Sequence, residues 1–314
     1  MEKSKYGKEL IYLWTGNLSH EQVSLREVPS TLIISAKKQG EIKQKFLEAK
    51  AKNPNFFDGL LWKYEGHEES QGGVTFNLSP TNYMPHNILR FENFPISLEG
   101  RSSYHSSSLH DKGLLKTRYP NPFSINALQR TLDGYLLIGV KGEKSDQVGL
   151  GVMGAGFIKR TSQEGKNLPP EDVFAGTLRE SLEETSYSGN PLTEEEVREF
   201  RALGTIFGSN HDTTTCVYVP LKITKDKVGI GNKEHSALIF LEDNSLILQK
   251  FLESGGIDVD YLNYRNTIFE TYSQKDKKDK MATLKNSPSG IVPSVDHLLG
   301  CIELYLRNRK SFIE

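Results

Sequence analysis

The sequence predicts an α/β protein in two parts: a small mixed α/β domain or extension over residues 1–120, then a mixed-sheet domain over 121–314 that ends in a helical extension. Three observations carry that prediction. Short apolar runs bounded by Gly, Pro, Asn and Asp mark strands on both sides of residue 120. Phe174, Leu178 and Leu182 recur every four residues, the mark of a helix with one packed side. Val295, Leu298, Leu299, Ile302 and Leu306 repeat the same logic near the C-terminus. At 314 residues the chain exceeds a typical domain, so two domains, or one with large additions, are expected.

Along the first part, Leu10–Trp14 (LIYLW) and Ser30–Ser35 (STLIIS) read as short strands, and residues 41–52 as a helix carrying Ile42, Phe46 and Ala49 on one side. Asn53, Pro54 and Asn55 break that helix. After an Asp58-Gly59 turn, LLWKYEG (60–66) and VTFNLS (74–79) read as two strands joined by a long polar loop. Residues 93–122, rich in Ser, Pro and His, lack periodicity and end in a Tyr119-Pro120-Asn121-Pro122 breaker, which sets the domain boundary near 120. His105 and His110 have no carboxylate or cysteine at a recognised ligand spacing and read as solvated or packing residues. Nothing supports substrate contact by Arg101 or Tyr104.

In the second part, INALQRT, an Asp133-Gly134 turn and YLLIGVK predict a β-hairpin, and VGLGVMGAGFI supplies another strand. Gly149 to Gly154 match G-x-G-x-x-G, but the chain continues as strand and no helix opens, so close backbone packing is preferred to dinucleotide binding. RALGTIFG, TCVYVPLKI and SALIFLE are three further strands. Lys275–Met281 is a solvated loop or helix face, and Ser294 is placed to cap the last helix.

The most informative stretch is 165–187, GKNLPPEDVFAGTLRESLEETSY: Gly165, five residues, Glu171, seven residues, Arg179-Glu180, two residues, Glu183-Glu184. A chance match to those letters is on the order of 10^-5 per chain at average usage. A helix is expected from near Glu171 to near Tyr187, with Pro169 and Pro170 at its start and the Gly and Pro of SYSGNP beyond its end. At about 100° per residue, Glu180, Glu183 and Glu184 fall in one arc and turn three carboxylates toward one cleft. Hard oxygen donors of that kind suit Mg²⁺ or Mn²⁺, which keeps waters and takes substrate phosphates as further ligands. An acidic surface helix is the plainer alternative, but it gives no reason for Arg179 and Glu171 at these offsets.

These residues resemble the Nudix hydrolase signature, Gly-x5-Glu-x7-Arg-Glu-apolar-x-Glu-Glu-x-Gly-apolar, over 23 residues. Ser181, Ser186 and Tyr187 depart from it; every acidic letter is present. The resemblance implies an α/β/α sandwich with a mixed sheet and the acidic helix on one side. It implies a metal-dependent hydrolase that cleaves the diphosphate linkage of a nucleoside diphosphate joined to another moiety, of the ADP-ribose, nucleotide-sugar or dinucleotide class. Glu180, Glu183 and Glu184 then bind Mg²⁺ or Mn²⁺, while Glu171 and Arg179 orient the helix. Gly154 and Gly156 look like the paired glycines that precede the family helix, and either is a candidate to present a carbonyl to the metal.

A general base is expected outside the helix. Glu234, in the loop before SALIFLE, is the first candidate and Glu242 the weaker one; His235 is expected to pack or face solvent. The alternative function is a non-catalytic Nudix module that senses a nucleotide. A diphosphate isomerase has less support, since no acid–base cysteine motif is visible.

Composition narrows the partners. Hydrophobic residues at 36% and charged residues at 25% are those of a soluble globular protein, and a formal net charge of −1 argues against a nucleic-acid polymer as ligand. Cys216 and Cys301 show no metal-ligand spacing and no disulfide framework, and each reads as a small buried residue in a reducing cytoplasm. The N-terminus lacks the apolar region of a secretory signal, and no apolar run approaches a membrane span. A homodimer is the usual closed assembly.

Overall fold

The protein is described by a computed structural model that covers residues 2–6, 10–52, 54, 58–86, 121–141, 149–159, 162–163, 166–167, 171–208, 213–232, 234–269 and 274–313. Gly165, Pro169, Pro170 and the stretch 87–120, with Arg101, Tyr104, His105, His110 and the expected boundary, lie outside the described residues.

Period-two alternation of large apolar residues builds the central sheet. On Thr213–Pro220, Cys216 and Tyr218 point to one core and Val217 and Val219 to another; on His235–Glu242, Ala237, Ile239 and Leu241 oppose Leu238 and Phe240. Both faces are therefore buried, and each side chain fully removed from water contributes roughly 1.5–3 kcal/mol. The strand order is Glu2–Lys3, Ile11–Leu18, Arg201–Phe207, Thr213–Pro220, Phe123–Arg130, Tyr135–Lys141, His235–Glu242, Thr267–Phe269. Thr213–Pro220 runs parallel to Phe123–Arg130 whereas its other neighbour, Arg201–Phe207, is antiparallel, so the sheet is mixed.

Phe123–Arg130 and Tyr135–Lys141 pair only at Arg130 and Leu136, next to their turn, and splay beyond it. The expected strand VGLGVMGAGFI fills the gap as two pieces. Leu150–Val152 pairs with Tyr135–Lys141 and Ala155–Phe157 with Phe123–Arg130. Gly154, at φ 87°, makes the break, because a left-handed turn there carries the chain from one strand to the other. The G-x-G-x-x-G match runs directly into strand Ala155–Phe157 rather than opening a helix.

One face is covered by the acidic helix, through Val173 and Phe174, and by an N-terminal three-stranded sheet, through Trp62, Tyr64, Phe76 and Leu78. These residues share one core cluster with Phe123 and Ile125, and Ile11–Leu18 is itself a strand of the central sheet. The described residues before 87 thus draw on the core of the rest. Helix Ala36–Lys52 turns Ile42 and Phe46 into the core as expected, with Ala49 only partly covered, and begins before residue 41.

Two expectations fail in this region. Ser30–Ser35 is not a strand, since the Thr31 N–H and hydroxyl donate to Glu65 at 3.0 and 2.5 Å instead of joining a ladder. Leu60–Ser70 and Gly73–Asn82 are not separated by a long loop; they form a hairpin turning at Gln71 and Gly72. Gly73 permits the tight approach, because a Cβ there would lie 1.9 Å from the Gln22 carbonyl oxygen.

The opposite face is covered by Ser245–Ser254 and Asp296–Asn308, through Leu248, Phe251, Leu298, Cys301, Ile302 and Tyr305. Lys275–Met281 lies within helix Gln274–Lys285. The last helix is capped at Val295 without a side-chain bond; the Ser294 hydroxyl donates to the Val295 carbonyl instead. Buried Asp243 anchors this layer by accepting from Arg130 Nε at 2.6 Å, Arg309 Nε at 2.7 Å and the Tyr305 hydroxyl at 2.8 Å. Among the described residues no helix is long and apolar enough to cross a membrane.

Asp243→Ala leaves two guanidinium groups without their shared anion and is expected to lower the unfolding free energy by about 3–5 kcal/mol. Urea titration reads this directly. An unchanged midpoint would mean that apolar contacts alone hold the last helix.

Candidate active site

The acidic helix spans Val173–Glu184, shorter at both ends than the sequence suggests. Asp172 is its N-cap, accepting from the Phe174 and Ala175 amides at 2.8 Å, so Glu171 stands just outside. Beyond Glu184 the chain becomes strand Thr185–Tyr187, paired with Val228–Ile230, and ladder pairing ends the helix before Tyr187.

The buried side is also rotated from expectation. Phe174 is buried, but Leu178 and Leu182 are only partly covered, and Val173, Thr177, Ser181 and Glu184 form the inner line. Small residues are needed there because the Gly154 turn comes so close that a Cβ on it would lie 3.3 Å from the Ser181 amide. Ser181, a departure from the family signature, therefore sits at the closest approach of helix and turn.

Glu184 consequently parts from the expected arc of three carboxylates. It is buried, and its carboxylate accepts from the Gly154 amide at 2.7 Å, the Ala155 amide at 3.3 Å and His235 Nε2 at 2.7 Å. Burial acts to raise its pKa, but the bond and charge of His235, then Lys141 and the Gly154 amide, hold it below the usual carboxylate range. Gln129 braces the same turn, donating to the Met153 carbonyl at 3.0 Å and accepting from the Thr185 hydroxyl at 3.0 Å.

Glu171 and Arg179 meet as a bidentate pair, Nε to Oε1 at 2.8 Å and Nη2 to Oε2 at 3.0 Å. Glu171 also accepts from the Lys159 amide at 2.9 Å, and Arg179 donates to the Phe157 carbonyl at 3.2 Å, so the pair ties strand Ala155–Phe157 and its exit to the helix. Arg179 additionally bonds Glu180. Burial opposes the guanidinium charge, yet Glu171 and Glu180 outweigh it and raise the Arg179 pKa.

Glu180 lies in a cradle made by Gly156, where a Cβ would stand 2.0 Å from Oε1. Its pKa is raised to about 7: burial pushes it up, Arg179 pulls it down, and the charges of Glu184 and Glu183 push it up again. Glu183 is half exposed, 3.8 Å from both Lys159 Nζ and Arg179 Nη1. The Gly154 carbonyl accepts from the Ala127 amide at 2.9 Å, which occupies one of its lone-pair directions. Among the described residues no three His, Cys, Asp or Glu side chains converge as a ready metal cage. Of the three glutamates, Glu183 is half exposed and Glu180 is mostly buried beside Arg179.

Glu234 stands over Glu184. Partial burial of its carboxyl, then the Glu184 charge, raise its pKa against Lys141 and His235. Glu242 ends the same strand seven residues beyond His235, roughly 23 Å away at a strand's rise. That separation removes it from the site.

His235 neither faces solvent nor packs among apolar groups alone. By strict alternation it would join Ala237 and Ile239; the register shift between His235 and Ala237 turns it toward Glu184. Gly139 opens the socket, since a Cβ there would lie 2.2 Å from Nδ1. Gly139 among large strand residues was the available sequence signal for a side chain filling that space.

Gly139→Ala should displace His235 and destabilise the protein by roughly 1–3 kcal/mol. In Gly139→Ala/His235→Ala the Cβ enters vacated space, so the double mutant should lose clearly less than the sum of the singles. Additive losses would reject the socket.

No protein-family model matches this sequence, and no curated protein matches it. Among solved structures, a MutT protein from Methanosarcina mazei Go1 is similar at 16% identity and a TM-score of 0.28, over 52% of this chain and 95% of that one. A bifunctional NMN adenylyltransferase/ADP ribose pyrophosphatase from Francisella tularensis is similar at 10% identity and a TM-score of 0.31, over 74% of this chain and 64% of that one.

Proposed function

We propose that the protein is a cation-dependent hydrolase of the Nudix type, acting on a nucleoside diphosphate joined to another moiety. The observation that supports this reading best is the state of Glu180. Arg179, held by Glu171, lies directly against it, yet burial and the nearby glutamates still raise its pKa to about 7. Burial, the largest of these causes, makes an ionised Glu180 costly to hold even beside Arg179, and a hard divalent cation bound to the carboxylate would offset that cost.

The donor chemistry fits Mg²⁺ or Mn²⁺, which needs only a few carboxylates when water and substrate phosphates complete its shell. Glu180 and Glu183 would hold it, with Gly156 leaving room for the Glu180 head. A bound cation supplies charge neutralisation for the bridging phosphates and makes a nearby water more acidic. Glu184 sets the Gly154 turn, and Glu171 sets Arg179. Glu234, with its raised pKa, takes the proton from the attacking water. ADP-ribose, nucleotide sugars and dinucleotides share the diphosphate this arrangement addresses; selectivity among them belongs to the surrounding loops and the N-terminal extension.

A second reading, a nucleotide sensor without turnover, is favoured by one observation: Glu184 is already engaged by His235 and the Gly154 turn. Titration with Mg²⁺ and a nucleotide panel separates the two, since binding without phosphorylated product means a sensor.

Glu183→Gln should abolish most cation-dependent release of nucleoside monophosphate while leaving the melting temperature nearly unchanged. Glu234→Gln should bind substrate normally and turn over about 10²–10⁴-fold more slowly, with partial recovery at high pH. Wild-type turnover in Glu183→Gln would end the hydrolase assignment at this helix, and wild-type turnover in Glu234→Gln would remove it as the base.

Glu180 also makes a pH prediction. Its folded pKa, about 7, exceeds its ordinary value of 4.5, so its protonation stabilises the fold below 4.5 and that contribution is lost as pH rises through 7. Mg²⁺ competes with the same proton, so it should raise the melting temperature more at pH 8 than at pH 6. Glu180→Gln should erase that difference; an equal Mg²⁺ effect at both pH values would show that the cation binds elsewhere.

A further inference from the structure

We propose that Cys216 and Cys301 form an oxidative modification site, at which the chain closes an intramolecular disulfide between the central sheet and the C-terminal helix. They are the only two cysteines in 314 residues. Cys216 lies on strand Thr213–Pro220, Cys301 on helix Asp296–Asn308, and both are fully buried in the core cluster that joins them. The Cys301 thiol donates to the Cys216 sulfur at 2.7 Å. Ordinary carbon contacts in a core are about 3.5–4.0 Å, and a disulfide bond is about 2.05 Å, so only a small side-chain movement separates the thiols from bonding.

The approach is built into the backbone. Gly300 faces the sheet, where a Cβ would stand 2.8 Å from Ile206 Cδ1 and 3.4 Å from Leu10 Cδ1. A larger residue would lift the helix and carry Cys301 away from the strand. None of the residues assigned to hydrolysis takes part, so this site is independent of that reading.

The oxidant is a small-molecule disulfide, RSSR. One cysteine, as thiolate, attacks RSSR, forming a mixed disulfide and releasing one thiolate RS⁻, which takes up the proton that cysteine gave up. The second cysteine, again as thiolate, attacks the mixed disulfide; the protein S–S bond forms, and the second RS⁻ leaves and is protonated in turn. Two protein thiols are oxidised and one RSSR is reduced to two RSH. Burial and the neighbouring sulfur push the Cys216 thiol well up, so thiolate is scarce once the helix docks. Exchange therefore belongs to the folding chain, before docking, and the finished bond is shielded from reductants.

The test uses the full chain, unfolded in denaturant and refolded with either glutathione disulfide or a reductant. Each sample is then denatured in maleimide and its intact mass measured. The oxidised wild type should take up no maleimide, carry no glutathione, weigh two hydrogens less than the unlabelled reduced chain and run as a monomer without reductant, whereas the reduced sample should carry two maleimides. Its melting temperature should rise on the order of 5–10 °C above the reduced form. Cys216→Ser, and Cys301→Ala as a second variant, should each retain one glutathione, because exchange stops at the mixed disulfide; this reading is made on denatured chain and does not require the variant to fold. Two maleimides, two glutathiones or a disulfide-linked dimer in oxidised wild type would overturn the proposal.

Discussion

A single buried carboxylate determines how the acidic helix sits on the sheet. Glu184 takes backbone bonds from the Gly154–Ala155 turn and a side-chain bond from His235, joining the end of the helix to two strands that the chain reaches far apart in sequence. Removing such an acceptor strands three donors in a dry environment, which costs much more than the bond itself contributes. The turn, in turn, places Gly156 beneath Glu180. The half-exposed Glu183 and the mostly buried Glu180 are therefore aimed by a third carboxylate that is fully enclosed.

At the other end of the helix, Glu171 and Arg179 clamp the exit of strand Ala155–Phe157. The helix is thus fixed to the same short strand at both ends. The N-terminal three-stranded sheet closes this side, with Trp62 and Phe76 in the core that also holds Val173 and Phe174. Movement of that sheet would be felt by the helix through packing, since dense interiors transmit displacement.

Much of this was legible in the sequence, for identifiable reasons. The hairpin at Asp133-Gly134, the strands 201–207, 213–220 and 235–242, and the last helix declared themselves because their apolar residues keep one period over several residues. The expectation that Glu171 and Arg179 act together came from the signature they resemble, not from helix geometry. What stayed hidden depended on contacts between distant residues. Ser30–Ser35 has strand composition, but Glu65 claims its backbone donor. Glu184 shares an arc with Glu180 and Glu183 by counting, yet the close approach of Gly154 turns it inward. His235 was misread because a register shift reverses its direction, and no local pattern marks such a shift.

The pairing of Trp14 with Thr205 has a consequence for how the protein is made. Roughly 190 residues lie between these partners, so loop closure of unusual length precedes completion of the sheet. At about 5–20 residues per second, a ribosome needs on the order of 10–40 s to deliver the second strand after the first. During that interval Ile11, Leu13 and Trp14 have no finished core to enter. The newborn chain carries an apolar strand whose sole early partner among the described residues is the short Glu2–Lys3 segment for longer than most folding steps take, and its yield in a cell depends on what shelters that strand meanwhile.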